Sequence, residues 1–306
     1  MQTFTRLDEF STQKKATATA IGNFDGIHMG HQHILQILGE EAQKKNLLSL
    51  VLTFSPHPER FLGKKKVRMI QTIDQRLRAI KKNNISMAVV LPFSQSIANL
   101  SSREFIKKIM IDSLGTRTII VGENFRFGRN REGNIEVMEK LSSSLNFDFS
   151  SIPARKKNGN IISSSLIRTL LLKGEIEEAN RLLGHPYEIE GTVIQGQSRG
   201  INLGFPTANV SSANEILPEG VFLSKVNLKG NKQPALTNIG RRPTFQQKKI
   251  NIESHIIGFS GDLYGRNLEI QFLKKLRDEK KFETAGQLAE QIARDVAQAK
   301  KYFKIK

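Results

Sequence analysis

The chain has no cysteine, no run of about 18 to 20 apolar residues, and far fewer acidic than basic side chains. The first absence excludes disulfide staples and thiolate metal sites, and it suits a reducing compartment. The second excludes a helical membrane span, and the opening segment MQTFTRLDEFS lacks a basic-then-apolar signal pattern. A soluble, cytoplasmic protein with no membrane partner is the expectation. The shortage of acid leaves 47 Lys and Arg against 29 Asp and Glu, a net charge of +18, which raises nucleic-acid binding as a class. The pattern argues against it. Basic pairs such as Lys44-Lys45, Lys107-Lys108 and Lys274-Lys275 are scattered, Lys64-Lys65-Lys66 is the one run, and no aromatic-interleaved basic strand occurs. These lysines read as solvated surface that also attracts anionic nucleotides. No GxGxxG follows the first strand-like segment, which argues against a dinucleotide redox domain.

At 306 residues, with 38% hydrophobic and 25% charged, the chain is globular and long enough for two domains. The first 150 residues alternate strand-like and helix-like segments, the rhythm of a Rossmann-like parallel sheet. Strands are expected over 16–21, 47–54, 87–92 and 117–121, and a helix over 72–83. A further helix follows Ser101, with Glu104 at capping-box spacing and Phe105, Ile106, Ile109 and Met110 on its apolar face. Two short helices, 164–173 and 175–183, lead to Gly184-His185-Pro186, where the periodicity changes. The domains are therefore read as 1–185 and 186–306. After the boundary, short β-type runs over 188–193, 221–228, 250–257 and 268–272 suggest an antiparallel β-barrel. A closing helix starts at Thr284, with Gln287 at capping-box spacing and Leu288, Ile292 and Val296 on one face.

The most informative segment is Gly22-Asn23-Phe24-Asp25-Gly26-Ile27-His28-Met29-Gly30-His31. It joins a short β-branched run to a segment in which Ile34, Leu35, Ile37 and Leu38 mark a helix face. A helix start at the end of a strand offers unpaired N–H groups and a positive dipole end, a site for polyphosphate. His28 and His31, at i and i+3, project to one side of that first turn and could neutralise charge on a phosphoryl oxygen. Half of a metal site and a simple helix cap are the alternatives, although no HExxH pattern accompanies the pair.

His28-Met29-Gly30-His31 fits the HxGH signature of nucleotidyltransferases, and the ten-residue stretch resembles the opening motif of bacterial bifunctional riboflavin kinase/FAD synthetases. Further segments match in order: Thr53-Phe54-Ser55-Pro56-His57-Pro58 (TFxPHP), Gly122 to Gly128 (GxNFxFG), Ser163-Ser164-Ser165-Leu166-Ile167-Arg168 (SSTxIR, with serine for threonine), and Gly200 to Asn209 (GxxLGFPTAN). Pro218 to Phe222 matches PxGVY with phenylalanine for tyrosine. Asn238 to Phe245 matches NIGxRPTF, Glu253 to Ile256 ExHL, Asp262 to Gly265 DLYG, and Leu276 to Phe282 LRxExKF.

The resemblance implies a nucleotidyltransferase sheet followed by a riboflavin kinase barrel, with ATP as co-substrate, riboflavin, FMN and FAD as substrates and products, and Mg²⁺ as cofactor. It implies catalytic roles for His28 and His31 in adenylyl transfer and for Glu253 as the base of the kinase. ATP contacts would come from Gly22, Phe24, Gly30, Ser164, Ser165 and Arg168 in the first half, and from Gly204, Pro206 and Thr207 in the second. Flavin contacts would come from Asn124, Phe125, Phe127 and Arg277, and metal ligands from Thr207 and Asn209. Read without it, the two phenylalanines could be core, the serines an ordinary cap, PTAN a turn and Glu253 a solvated strand residue. One active half only, or a flavin-binding regulator, are the alternative functions, and the oligomeric state is open.

Overall fold

The computed structural model describes residues 1–11, 16–63, 66–157, 159–196, 204–228, 230–243 and 248–305. Residues 64–65, 200–203 and 244–245 of the segments above lie outside that range. The chain forms two compact units, Met1–Arg68 with Thr72–Ser163, and Met69–Gln71 with Ser164–Lys306. Among the described residues no helix is long and apolar enough to cross a membrane.

The first unit is a six-stranded parallel sheet. Its strands are β1 (Gln2–Phe4), β2 (Thr17–Ile21), β3 (Leu48–Ser55), β4 (Met87–Pro92), β5 (Thr116–Gly122) and β6 (Asp148–Ile152), in the spatial order β1-β4-β3-β2-β5-β6, and β7 (Lys156–Lys157) and β8 (Asn160–Ile161) form a separate antiparallel pair. Helices cover both faces, so the central strands are buried along their length rather than alternating. On one face Leu50, Leu52, Val89, Ile119 and Val121 pack on Phe105, Ile106, Ile109 and Met110. On the other, Ala18, Ala20, Val51 and Ile120 meet Leu35, Leu38 and Ala42 of the helix Met29–Lys44, together with Ile80. The order reverses at β2, between β3 and β5, and ligands of open α/β sheets sit beyond strand ends at such a point.

The helix expected after Ser101 is present and Ser101 and Glu104 form its capping box, but over Phe105–Ser113 it winds as a π-helix. That winding brings i and i+5 together, as in the Lys107 Nζ to Asp112 Oδ2 ion pair at 2.9 Å.

The second unit is a closed antiparallel barrel of β9 (Tyr187–Ile194), β10 (Ala208–Ser212), β11 (Gly220–Leu228), β12 (Asn231–Pro243), β13 (Lys248–Ile256) and β14 (Asn267–Arg277). Successive side chains alternate between its faces. Phe222, Ala235, Ile239, Ile252 and Phe272 fill the interior, where Ser224, Thr237 and Ser254 satisfy one another through hydroxyl contacts of 2.7 and 3.0 Å. Outward-facing Val221, Leu223 and Leu236 pack under Ala299 and Val296 of the closing helix Ala285–Phe303. Thr284 Oγ1 caps that helix by accepting from Gln287 N–H. The compact units divide at Ser163/Ser164, so helices Ser164–Lys173 and Ile176–Leu183 pack with the barrel. Asn180 links them to it, donating to Phe272 O at 2.8 Å and accepting from Tyr187 N–H at 2.6 Å.

Candidate functional site

At the carboxyl end of β2 the chain turns through Gly22 to His28 and enters the helix Met29–Lys44. Two bulky residues in this turn, Phe24 (φ 48) and Ile27 (φ 39), take left-handed backbone angles, as does Gly26 (φ 87). Non-glycine residues adopt such angles at a cost of roughly 1–3 kcal/mol each, when the surroundings hold them there. The surroundings here are specific. Phe24 and Ile27 are 1% and 2% exposed, Ile27 O accepts from Gln32 Nε2 at 2.8 Å, and Asn23 O accepts from Thr53 Oγ1 at 3.0 Å. Asp25 is fully buried, with Arg76 Nη2 3.9 Å from its carboxylate, and Arg76 Nη1 donates to Thr53 Oγ1.

His28 is the N-cap of the helix. Its Nδ1 accepts from His31 N–H at 3.3 Å, so in the neutral ring the proton sits on Nε2. The two imidazoles stack, centroids 3.7 Å apart and 16° from parallel, and Phe24 leans on His31 at 5.1 Å. The expected common side of His28 and His31 is therefore a ring stack. Met29 and Gly30 hold the first-turn amides that no intrahelical carbonyl can reach. Gly30 also makes room for His28, since a Cβ there would lie 3.1 Å from the imidazole, and Gly22 does the same for the Phe24 ring at 3.2 Å. Because Phe24 is buried, only its backbone faces the turn's outer side. His57, in the turn after β3, lies with Nε2 2.9 Å from the Asn23 side-chain amide.

After β5, Phe125 and Phe127 stack 5.6 Å apart. Phe127 belongs to the core and Phe125 is half-buried above it, with Asn124 exposed beside them. Gly133 permits this packing, because a Cβ there would meet the Phe127 ring at 2.6 Å. Asn124 and Phe125 thus offer a surface to a planar ligand, and Phe127 supports it from below. Ser164 and Ser165 open the helix Ser164–Lys173 of the second unit, with Arg168 one turn on and half-buried.

On the outer barrel wall, register places Glu253 of β13 directly between Asn209 of β10 and Asn238 of β12. Asn251 Nδ2 donates to Glu253 Oε1 at 2.6 Å. The loop before β10 is tied to this wall by His255 Nδ1, which donates to Pro206 O at 2.8 Å, while the Phe205 ring meets His255 edge-on at 5.8 Å. Gly204 takes φ +80 within that loop. Asn209, opposite Glu253 in the register, lies on the same side of the wall, and Thr207 stands just before the start of β10. Gly196 leaves space for the Asn209 amide, which a Cβ there would overlap at 2.0 Å. Phe222 is an interior residue, edge-on to Phe272 at 5.3 Å, so the hydroxyl it lacks relative to tyrosine is missing from the core and not from this wall. Arg277 is already engaged: Nε and Nη2 donate to Asp295, and Nη1 to Asp278 O.

Sequence reasoning missed Asp25, Arg76, Asn238, Asn251 and Asp295 as contributors. Asp25 and Asn238 lay within quoted motifs, but Arg76, Asn251 and Asp295 have partners that only the fold supplies.

The model of the FAD synthetase family matches residues 10–166, and that of the riboflavin kinase family residues 183–303. Three relatives named bifunctional riboflavin kinase/FMN adenylyltransferase align almost end to end. The one from Buchnera aphidicola subsp. Schizaphis graminum is 38% identical, over 94% of this chain and 95% of its own. The Escherichia coli K12 protein is 36% identical over 92% and 91%, and the Haemophilus influenzae protein 33% over 99% of each. A solved structure described as a macrolide-efflux protein from Streptococcus pneumoniae superposes with a TM-score of 0.88 at 26% identity, covering 98% of this chain and 99% of that one. That likeness bears on the fold, and the efflux role belongs to the other protein's description. Two family models in series and near-complete relatives with one shared name agree with the two sites found on two units: the chain belongs to the family of bifunctional riboflavin kinase/FMN adenylyltransferases, enzymes that make FMN from riboflavin and FAD from FMN.

Proposed function

We propose that residues 1–185 carry adenylyl transfer and residues 186–306 the kinase reaction, with the residues of each site matched to a different need for proton transfer. In FAD formation the attacking group is the phosphate of FMN, already anionic at neutral pH, so no base is required. The site after β2 suits that chemistry. The carboxylate of its turn, Asp25, is buried against Arg76, and what the turn presents is the His28–His31 stack and helix-start amides. These groups stabilise charge on the α-phosphate of ATP while pyrophosphate leaves. Asn124 and Phe125, on the same unit, serve the flavin.

Riboflavin phosphorylation begins from a neutral alcohol, which must lose a proton, and this site does present a carboxylate. Glu253 accepts the proton as the alcohol oxygen attacks the γ-phosphorus and the bond to ADP breaks. Mg²⁺ bound with a nucleotide takes only one or two protein ligands beside phosphate and water. The Thr207 hydroxyl and Asn209 amide oxygen are hard donors of that kind and would hold it, where it would neutralise phosphate charge. Use of ATP as co-substrate suits a cytoplasmic enzyme. The observation that carries the reading is this contrast between an imidazole-and-amide site and a carboxylate site on separate units. The forms with one active half or a regulatory role are not favoured, since both sets of residues are intact.

The test is separation of the activities in the full chain. His31→Ala is expected to lower FAD formation from FMN at least 100-fold while FMN formation stays within twofold, and Glu253→Gln to do the reverse. Equal loss of both activities in either variant, or full kinase turnover in Glu253→Gln, rejects the assignment.

A further inference from the structure

We propose that Asn238 is a specificity residue of the kinase site, taking a hydrogen bond from the acceptor's second hydroxyl while Glu253 deprotonates the terminal one. This rests on the reading of Glu253 as base. Asn238 lies on the central strand β12, paired with Val221 on one side and Glu253 on the other. Directly opposed side chains on one sheet face have Cβ atoms about 5 Å apart. Among the described residues, Asn238 Oδ1 is shut off from water and accepts no hydrogen bond. Buried polar atoms in native proteins are nearly always partnered, and an unmade bond carries the full desolvation cost. The neighbours cannot satisfy it. Ionised Glu253 has only acceptors, and the Asn251 amide is spent on Glu253.

With no donor to Oδ1 among the described residues, the bond is left for a group from outside the protein. The γ-phosphate offers no donor, because ionised phosphate oxygens only accept. A polyol offers one on each carbon. The ribityl chain of riboflavin carries a hydroxyl next to the terminal one, and the spacing between Asn238 and Glu253 suits two adjacent hydroxyls of one chain. In the step itself the terminal O–H proton passes to Glu253, the new O–P bond forms and the P–O bond to ADP breaks. The Asn238 bond is unchanged throughout, so its effect falls on acceptor recognition and placement.

The experiment compares riboflavin with its 4′-deoxy analogue in the full-length enzyme and in Asn238→Leu, which keeps the shape and removes the acceptor. Wild type is expected to prefer riboflavin about tenfold in kcat/KM, the range of one neutral hydrogen bond. Asn238→Leu should lose about tenfold on riboflavin, keep kcat/KM for the analogue within twofold, and leave KM for ATP, FMN adenylylation and Tm undiminished. An undiminished preference for riboflavin in Asn238→Leu, or equal loss on both flavins, overturns the proposal. Asn238→Asp supplies an independent check, because it retains an acceptor but adds a like charge beside Glu253. It should keep the riboflavin preference; a preference lost in Asn238→Asp also overturns the proposal. Failure of the base assignment shows separately, as retained turnover in Glu253→Gln.

Discussion

Replacing Arg277 by methionine is expected to destabilise the barrel unit far more than removing its partner. Asp295 is 4% exposed and receives Arg277 Nε at 3.0 and 3.2 Å and Nη2 at 2.7 Å, with Gln291 Nε2 at 2.9 Å. Arg277→Met leaves that carboxylate buried with a single neutral donor, and stranding one member of a buried pair costs about 3–5 kcal/mol. Asp295→Leu strands a guanidinium that is 16% exposed and has a stem able to reach water, which puts its cost nearer 1–2 kcal/mol. For a unit of this size, 1 kcal/mol moves Tm by about 2–4 °C, so the first variant should melt on the order of 10 °C lower. The double variant Arg277→Met/Asp295→Leu should recover most of the loss, because no charge remains buried. Calorimetric melting of the full chain reads all three. An Arg277→Met melt within 2 °C of wild type, or a double variant no better than the worse single one, refutes the reasoning. The same set tests a flavin contact at Arg277: a clamp alone leaves the stable double variant with a wild-type KM for riboflavin, whereas a contact raises it.

Gly30→Ala is expected to lower FAD formation by about 10- to 100-fold, because a Cβ 3.1 Å from the buried His28 ring shifts the imidazole stack by tenths of an ångström. The helix itself should gain up to about 1 kcal/mol from alanine; wild-type FAD formation would remove His28 placement as the role of Gly30. The Glu104 carboxyl is held down to about 2 by Lys108, aided by the Ser101 N–H and hydroxyl. A folded pKa below the ordinary 4.5 gives stability that is complete above 4.5 and lost as pH falls through about 2. The Tm gap between wild type and Glu104→Gln should therefore hold from pH 7 to about 5, shrink below that and vanish near 2. A gap already closing at pH 6 contradicts the capping geometry.

Much of the fold was legible because burial on both sheet faces writes itself as continuous apolar runs. The apolar runs over 47–54, 87–92 and 117–121 match β3, β4 and β5 to within a residue at each end, and Ser101 and Thr284 cap their helices. β6, with the sequence Asp-Phe-Ser-Ser-Ile, is an edge strand whose polar residues carry no such signature. β12 was missed for a different reason. Its inward side is Ala235, Thr237 and Ile239, and its outward side passes from Leu236 under the closing helix to Asn238 at the site, so neither face reads as uniformly apolar or polar. The π-winding of 105–113 has no local mark either, since the apolar spacing that buries Phe105, Ile106, Ile109 and Met110 serves an α-helix equally well.

The sites were legible as positions and less so as mechanics. Glycine in a turn that opens a helix ordinarily frees the backbone for close approach to phosphate. In the structure Gly22 and Gly30 provide room for the Phe24 and His28 rings, while the left-handed angles fall also on Phe24 and Ile27, residues that resist them. What holds them comes from far along the chain, through Thr53 to Asn23 O and Arg76 to Asp25. Such distant partners leave no spacing for a one-dimensional reading to find. The consequence is chemical. A turn held by buried contacts fixes the stacked imidazoles and the first helical amides in advance, and on the proposed adenylyl-transfer role this leaves little reorganisation to accompany charge development on the α-phosphate. The same logic runs on the barrel wall, where sheet register rather than loop motion sets Glu253 between two amides.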